Sequence, residues 1–178
     1  MPKNVEIKAE LANAEQAHKV AKSLCGGEAT TLLQRDTFFK VSAGRLKLRD
    51  FLDDTGVLIF YVREDSKDPT GSHFETTPVV DVASMRLVLS ESLGVMGEVE
   101  KTRHLYLCGR TRIHIDEVKG LGDFLELEVV MEEGESELTG IEEANVLMEK
   151  LSVEKSDLIE FAYIDLQDLT QKFTGAGV

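Results

Sequence analysis

Like charges recur two residues apart in this 178-residue chain. Arg45, Lys47 and Arg49 form one group, Lys101 and Arg103 a second, and Arg110 and Arg112 a third. The acids Glu6, Asp116, Glu126 and Glu128 sit at similarly alternating positions. In an extended strand this spacing puts side chains on one face with attachment points about 7 Å apart. At an effective dielectric of about 20, two unit charges at that separation repel by roughly 2.4 kcal/mol, so the basic triplet requires an anion nearby. Guanidinium and ammonium groups supply the donors that phosphate oxygens accept, and grouped carboxylates supply the hard oxygen ligands of Mg²⁺ or Mn²⁺. A small, metal-chelated polyphosphate needs both sets.

The elements that must position these residues read mainly as strands. Val5, Ile7 and Ala9 interleave with Glu6, Lys8 and Glu10; Leu46 and Leu48 with the basic triplet; Ile113 and Ile115 with Arg112, His114 and Asp116; Leu125, Leu127 and Val129 with Glu126 and Glu128. Period two predicts strands there, and further strands over 31–41, 56–64 and 95–107, with a shorter piece over 73–79. Turns at 42–44, 53–56 and 120–122 are short, so the sheet of about eight strands should be largely antiparallel. Helical spacing appears over 12–25, over 81–93 behind Asp81 as N-cap, after a Thr139/Glu142 capping box, and around Ile159, Tyr163, Leu166 and Leu169. An α+β fold follows, with 1–178 as one domain. If the strands close into a barrel with polar faces inward and helices outside, the lumen holds the charged groups.

Composition narrows the partners. The formal net charge is −13, from 20 Lys and Arg against 33 Asp and Glu. That balance excludes nucleic acid and anionic membrane as general partners, because both select a positive footprint. The acidity is concentrated after residue 119, whereas 35–49 carries five bases against the single acid Asp36. The longest apolar run, 57–62, is far below the roughly 20 residues of a membrane span, and the charged N-terminal stretch lacks the apolar segment of a secretory signal, so a cytoplasmic protein is expected. Cys25 and Cys108 lack metal-ligand spacing and read as small buried hydrophobes. The acidic turn 132–137 reads as solvated.

In order along the chain, Asn4-Val5-Glu6-Ile7-Lys8, Gln34 to Phe39, Gly44-Arg45-Leu46-Lys47-Leu48-Arg49, Leu58 to Arg63, Val99 to Arg103, Arg112-Ile113-His114-Ile115-Asp116 and Gly120 to Glu128 resemble the motifs of the CYTH superfamily, the triphosphate tunnel metalloenzymes. The superfamily includes class IV adenylyl cyclases, thiamine triphosphatases and inorganic tripolyphosphatases. The resemblance implies an eight-stranded antiparallel closed barrel, the triphosphate tunnel fold, with helices packed outside. It implies Mg²⁺ or Mn²⁺ held by Glu6, Asp116, Glu126 and Glu128. It further implies a phosphate track of Lys8, Arg45, Lys47, Arg49, Arg63, Lys101, Arg103 and Arg112, with Lys8, Arg49 and Asp116 acting in catalysis. It also implies a small-molecule triphosphate as partner, and a monomer or a homodimer is expected. One position departs from the pattern: Asn4 stands where the first signature Glu belongs.

Three functional classes remain open on the sequence. They are a metal-dependent enzyme, either hydrolysing a triphosphate or cyclising ATP to cyclic AMP and pyrophosphate; a weakly active or inactive polyphosphate-binding module; and an unrelated barrel for an apolar ligand, which would put the basic triplet outside. His114 is open between a phosphate or water contact and a satisfied interior histidine. Tyr61 is open between a phosphate contact and a lumen filler, and Tyr163 reads as packing.

Overall fold

The computed structural model describes residues 3–63 and 70–174. The alternating segments become eight strands: β1 (Lys3–Glu10), β2 (Thr30–Phe39), β3 (Arg45–Asp50), β4 (Gly56–Arg63), β5 (Thr70–Val79), β6 (Val95–Cys108), β7 (Thr111–Val118) and β8 (Gly122–Val130). They close into an antiparallel barrel in the order β1-β5-β4-β3-β2-β6-β7-β8, with β8 pairing back to β1. The fifth strand is longer than the short piece expected, and Glu64, expected to extend β4, lies outside the described residues.

Helices α1 (Ala14–Cys25), α2 (Val82–Leu93), α3 (Glu137–Lys150) and α4 (Tyr163–Thr174) complete the fold, with a single 3₁₀ turn at Lys155–Asp157 that periodicity did not announce. Asn13 and Asp81 cap α1 and α2, their side-chain oxygens accepting from the amides of Gln16 and Ser84. The third helix begins earlier than the Thr139/Glu142 box implied. Ser136 is its N-cap, its hydroxyl accepting from the Leu138 amide at 3.4 Å, so Thr139 already lies within the first turn.

The apolar faces of the strands point outward and are covered by the helices. Val5, Ile7, Ile113, Ile115, Leu125, Leu127 and Val129 pack under Ala17 and Ala21 of α1 and Ala144, Leu147 and Met148 of α3. Each such aliphatic side chain, fully buried, contributes about 1.5–3 kcal/mol, so this seam fixes which strand face must be inside. Close approach of α3 requires Gly140, where a Cβ would stand 2.8 Å from Val5 Cγ2. The second helix covers Phe39, Leu48 and Val79 through Val82, Met85 and Leu89, while Val88 is exposed.

The start of α4 packs differently, against residues at one end of the barrel. Ala162, Tyr163 and Ile164 meet Phe38, Val99, Val118 and Phe124. Gly97 permits that approach, since a Cβ there would stand 2.5 Å from Ile164 Cδ1.

Candidate active site

With apolar side chains outside, alternation directs the charged ones inward, where they line a cavity of about 220 Å³. One wall is basic. Lys47 and Arg49 enter from β3, and Lys101 and Arg103 from β6. Between those strands lies β2, and its Asp36 supplies the anion for two members of the basic triplet, Lys47 and Arg49. Arg49 donates to it from Nε at 2.8 Å and Nη2 at 2.7 Å, Lys47 Nζ at 3.0 Å and Lys101 Nζ at 3.4 Å. Burial alone would raise the Asp36 carboxyl, but Arg49, then Lys101 and Lys47, hold it well below the usual carboxylate range. Sequence reasoning passed over Asp36. Its signal was present, as the lone acid of the basic stretch and, by alternation from Gln34 and Phe38, on the inward face.

The facing wall is acidic and lies on β1, β8 and β7. Register pairs Glu6 with Glu128 and Lys8 with Glu126 on one side of β8, and Arg112 with Glu128 and His114 with Glu126 on the other. The two glutamates of β8 thus sit in the middle of a six-residue inward patch. Glu126 Oε2 accepts from Arg103 Nη2 at 3.0 Å and lies 3.9 Å from Lys8 Nζ. Burial would raise its carboxyl, yet Lys8 and Arg103 hold it well below the ordinary value. Glu128 Oε2 accepts from Arg112 Nη1 at 3.2 Å. Burial, reinforced by Arg103, pulls His114 down to about 4, so its imidazole is neutral at pH 7.

The lysines are strained electrostatically. Burial, then crowding by Arg49 against the attraction of Asp36, lowers Lys47 to about 8. Lys101 falls to about 7, from burial first, with Asp36 pulling upward and Arg49 and Arg103 downward. Six bases and four acids line the cavity, leaving it net cationic. A multiply charged anion entering there relieves the repulsion that depresses both lysines.

Nine of the residues expected to bind phosphate or metal therefore converge on one cavity. Two do not line it. Asp116 faces inward but is fully covered, with Arg103 donating from Nε at 2.7 Å and Nη2 at 2.6 Å and the Tyr163 hydroxyl donating at 2.9 Å. Both its oxygens are engaged, so the geometry fits an anchor for Arg103 rather than the metal ligand expected. Arg45 turns to α4, where both terminal nitrogens donate to Asp165 at 3.1 and 2.8 Å. The side chain of Arg63 lies outside the described residues.

Other residues gain a place. Tyr163 lines the cavity instead of merely packing, and Lys8 Nζ lies 3.9 Å from its ring centroid, a cation–π distance. Asn4 and Tyr61 also line it. Arg110 binds Glu135 and Glu143 outside the barrel, and Lys3 binds Glu137, so part of the acidic turn is paired rather than simply solvated. Cys25 and Cys108 are half-buried.

An inward-facing charged lumen excludes the apolar-ligand barrel, and the sequence matches the CYTH domain over residues 2–163. The chain belongs to the CYTH family. No curated protein sequence matches it. Among solved structures, it superposes on the PH1012 protein of Pyrococcus horikoshii OT3 with TM-score 0.80 and 21% identity, covering 92% of this chain and 98% of that one. An adenylate cyclase candidate from Vibrio parahaemolyticus gives TM-score 0.75 and 18% identity over 93% and 97%. HpAC1 of Hippeastrum, described as an adenylyl cyclase candidate with a dominant triphosphatase activity, gives 0.57 and 19% over 91% of each chain. At these identities the likeness establishes the shared fold. CYTH enzymes are metal-dependent and act on triphosphates, and the members include both triphosphatases and adenylyl cyclases. Among the described residues of this CYTH chain, no helix is long and apolar enough to cross a membrane.

Proposed function

We propose that the chain is a divalent-metal-dependent triphosphatase, with its substrate bound in the lumen between the two walls. The observation that carries this reading is the opposition, inside one cavity, of the basic group Lys47, Arg49, Lys101 and Arg103 to the acidic group Glu6, Glu126 and Glu128. The three glutamates hold Mg²⁺ or Mn²⁺. When bound, the ion offsets phosphate charge and the charge that develops on the leaving group.

Lys8 and Arg112 flank the glutamates and orient the phosphate oxygens nearest them. Across the lumen, Lys47, Arg49, Lys101 and Arg103 bind the remaining oxygens, Asp36 holding the first three in place and Asp116 holding Arg103. In hydrolysis a water oxygen attacks the terminal phosphorus, the bridging P–O bond breaks, and orthophosphate and the shortened phosphate chain leave. Phosphoryl transfer of this kind asks little covalent chemistry of the protein, so positioning and charge stabilisation account for the rate. Arg45 is assigned to anchoring α4 rather than to the phosphate track, and Arg63 remains assigned to that track.

A second reading is supported by Tyr61, Phe74 and Ile59, which line the same cavity from β4 and β5. They form an apolar strip suited to a base, and with ATP the ribose 3′ hydroxyl would then attack the α-phosphorus. Separate reactions with tripolyphosphate, thiamine triphosphate and ATP, each with Mg²⁺ or Mn²⁺, distinguish the outcomes. Orthophosphate release is expected; cyclic AMP with pyrophosphate supports cyclisation; binding without turnover supports a binding module. Lys8→Ala and Glu126→Gln are expected to abolish turnover in folded protein, and full activity in both overturns the site.

A further inference from the structure

The six-residue inward patch contains one nitrogen donor with no task in the fold. His114 is 4% exposed, and its Nδ1 is buried without a hydrogen-bond partner among the described residues. Leaving such a group unsatisfied costs about 1–3 kcal/mol. The Glu128 carboxylate oxygen Oε1 is 3.9 Å away, too far for a hydrogen bond. Glu128 gives its other oxygen to Arg112, and Glu126 gives Oε2 to Arg103. One ligand atom from each of His114, Glu126 and Glu128 lies within 4.8 Å of the other two. Three ligand atoms bound at about 2.0–2.2 Å from one ion stand about 3–4 Å apart, so side-chain motion of about an ångström would bring the three together.

Resting on the metal-dependent reading above, we infer that His114 is a nitrogen ligand of the metal centre. It offsets the weak donor Asn4 and biases the site toward Mn²⁺ and later transition ions over Mg²⁺. Asn4 lines the same cavity and offers only an amide where the family signature has a carboxylate. The set is therefore mixed nitrogen and oxygen. Mg²⁺ favours oxygen donors in octahedral array, whereas imidazole suits the transition ions, so the histidine discriminates between them. Its position supports the role: on β7, His114 is the direct neighbour of Glu126 across the strand pair, and Arg112, two residues away, is the neighbour of Glu128.

The test uses the full chain and Mn²⁺ alone. Pulsed electron paramagnetic resonance of bound Mn²⁺ is expected to show ¹⁴N coupling from a coordinated imidazole, and the coupling is expected to vanish in His114→Gln. Titration calorimetry is expected to show Mn²⁺ affinity falling about 10- to 100-fold in that variant, with Mg²⁺ affinity changing far less. Bound Mn²⁺ without nitrogen coupling in the wild type overturns the inference while leaving the functional reading intact. So does coupling that persists in the variant, which would point to another of the four histidines. Absence of Mn²⁺ binding to the wild type overturns both. The wild-type spectrum needs no variant to fold.

Discussion

Arg103 grips Asp116 with two hydrogen bonds and reaches Glu126 with one of the same nitrogens. Through that fork the covered carboxylate on β7 fixes a cation facing the cavity, and Tyr163 of α4 adds its hydroxyl to the same carboxylate. A residue expected to touch metal is thus tied to one proposed to touch substrate. Asp116→Asn should destabilise the fold by about 3–5 kcal/mol, the range for breaking a buried ion pair, measurable by denaturant titration. Its Mn²⁺ affinity should stay close to wild type. Loss of Mn²⁺ binding in folded Asp116→Asn would make Asp116 a ligand after all.

Tyr163→Phe isolates one bond of that assembly. The hydroxyl donates to a charged, buried acceptor, so its removal should cost about 1.5–3 kcal/mol, while the ring keeps its contacts with Phe124 and Lys8. Thermal denaturation and tripolyphosphate binding by calorimetry check the two parts, with stability lowered and affinity little changed.

Asp36 is the internal counter-charge of three lumen cations. Asp36→Asn leaves Lys47, Arg49 and Lys101 facing one another, and the free protein should lose about 3–5 kcal/mol. Tripolyphosphate can replace the missing negative charge. The ligand-induced rise in Tm should therefore be larger in the variant than in the wild type; an equal or smaller rise contradicts the role given to Asp36.

The depressed lysines set the pH dependence. Free Lys101 titrates at about 7 and Lys47 at about 8, and both must be charged to hold an anion. Binding above pH 7 therefore takes up protons, and affinity for tripolyphosphate should fall from pH 7 to 9 by up to about tenfold per pH unit for each lysine. Calorimetry in two buffers of different ionisation enthalpy reads the uptake directly. The sign for the free fold is opposite. Between the folded values and about 10.5, the unfolded chain holds more protons on these lysines, so their contribution to unliganded stability rises with pH.

Much of the barrel was legible because period-two alternation reports which face is buried whatever the topology. Val5, Ile7, Ile113 and Ile115 could only pack outward under helices once Glu6, Lys8, Arg112 and His114 shared the other face. What escaped was set by partners distant in sequence. Asp36 acquires meaning only when β3 and β6 flank β2 on its two sides, and Asp116 looks like a ligand until Arg103, its cross-strand neighbour, takes both oxygens. Arg45 matched a phosphate motif, yet Asp165 lies 120 residues away and claims it. The start of α3 differs from the expected one for a local reason: Thr139 and Glu142 satisfy the capping-box pattern, but Ser136, three residues earlier, already caps the helix.

The proposed function stands on a triphosphate binding between a basic wall and a metal-bearing acidic wall inside this barrel. A crystal structure with tripolyphosphate and Mn²⁺ tests it most directly. Phosphate oxygens are expected on Lys47, Arg49, Lys101 and Arg103, with the ion on Glu126 and Glu128. Tripolyphosphate bound only outside the barrel, or a lumen that stays empty of both at saturating concentrations, would contradict it.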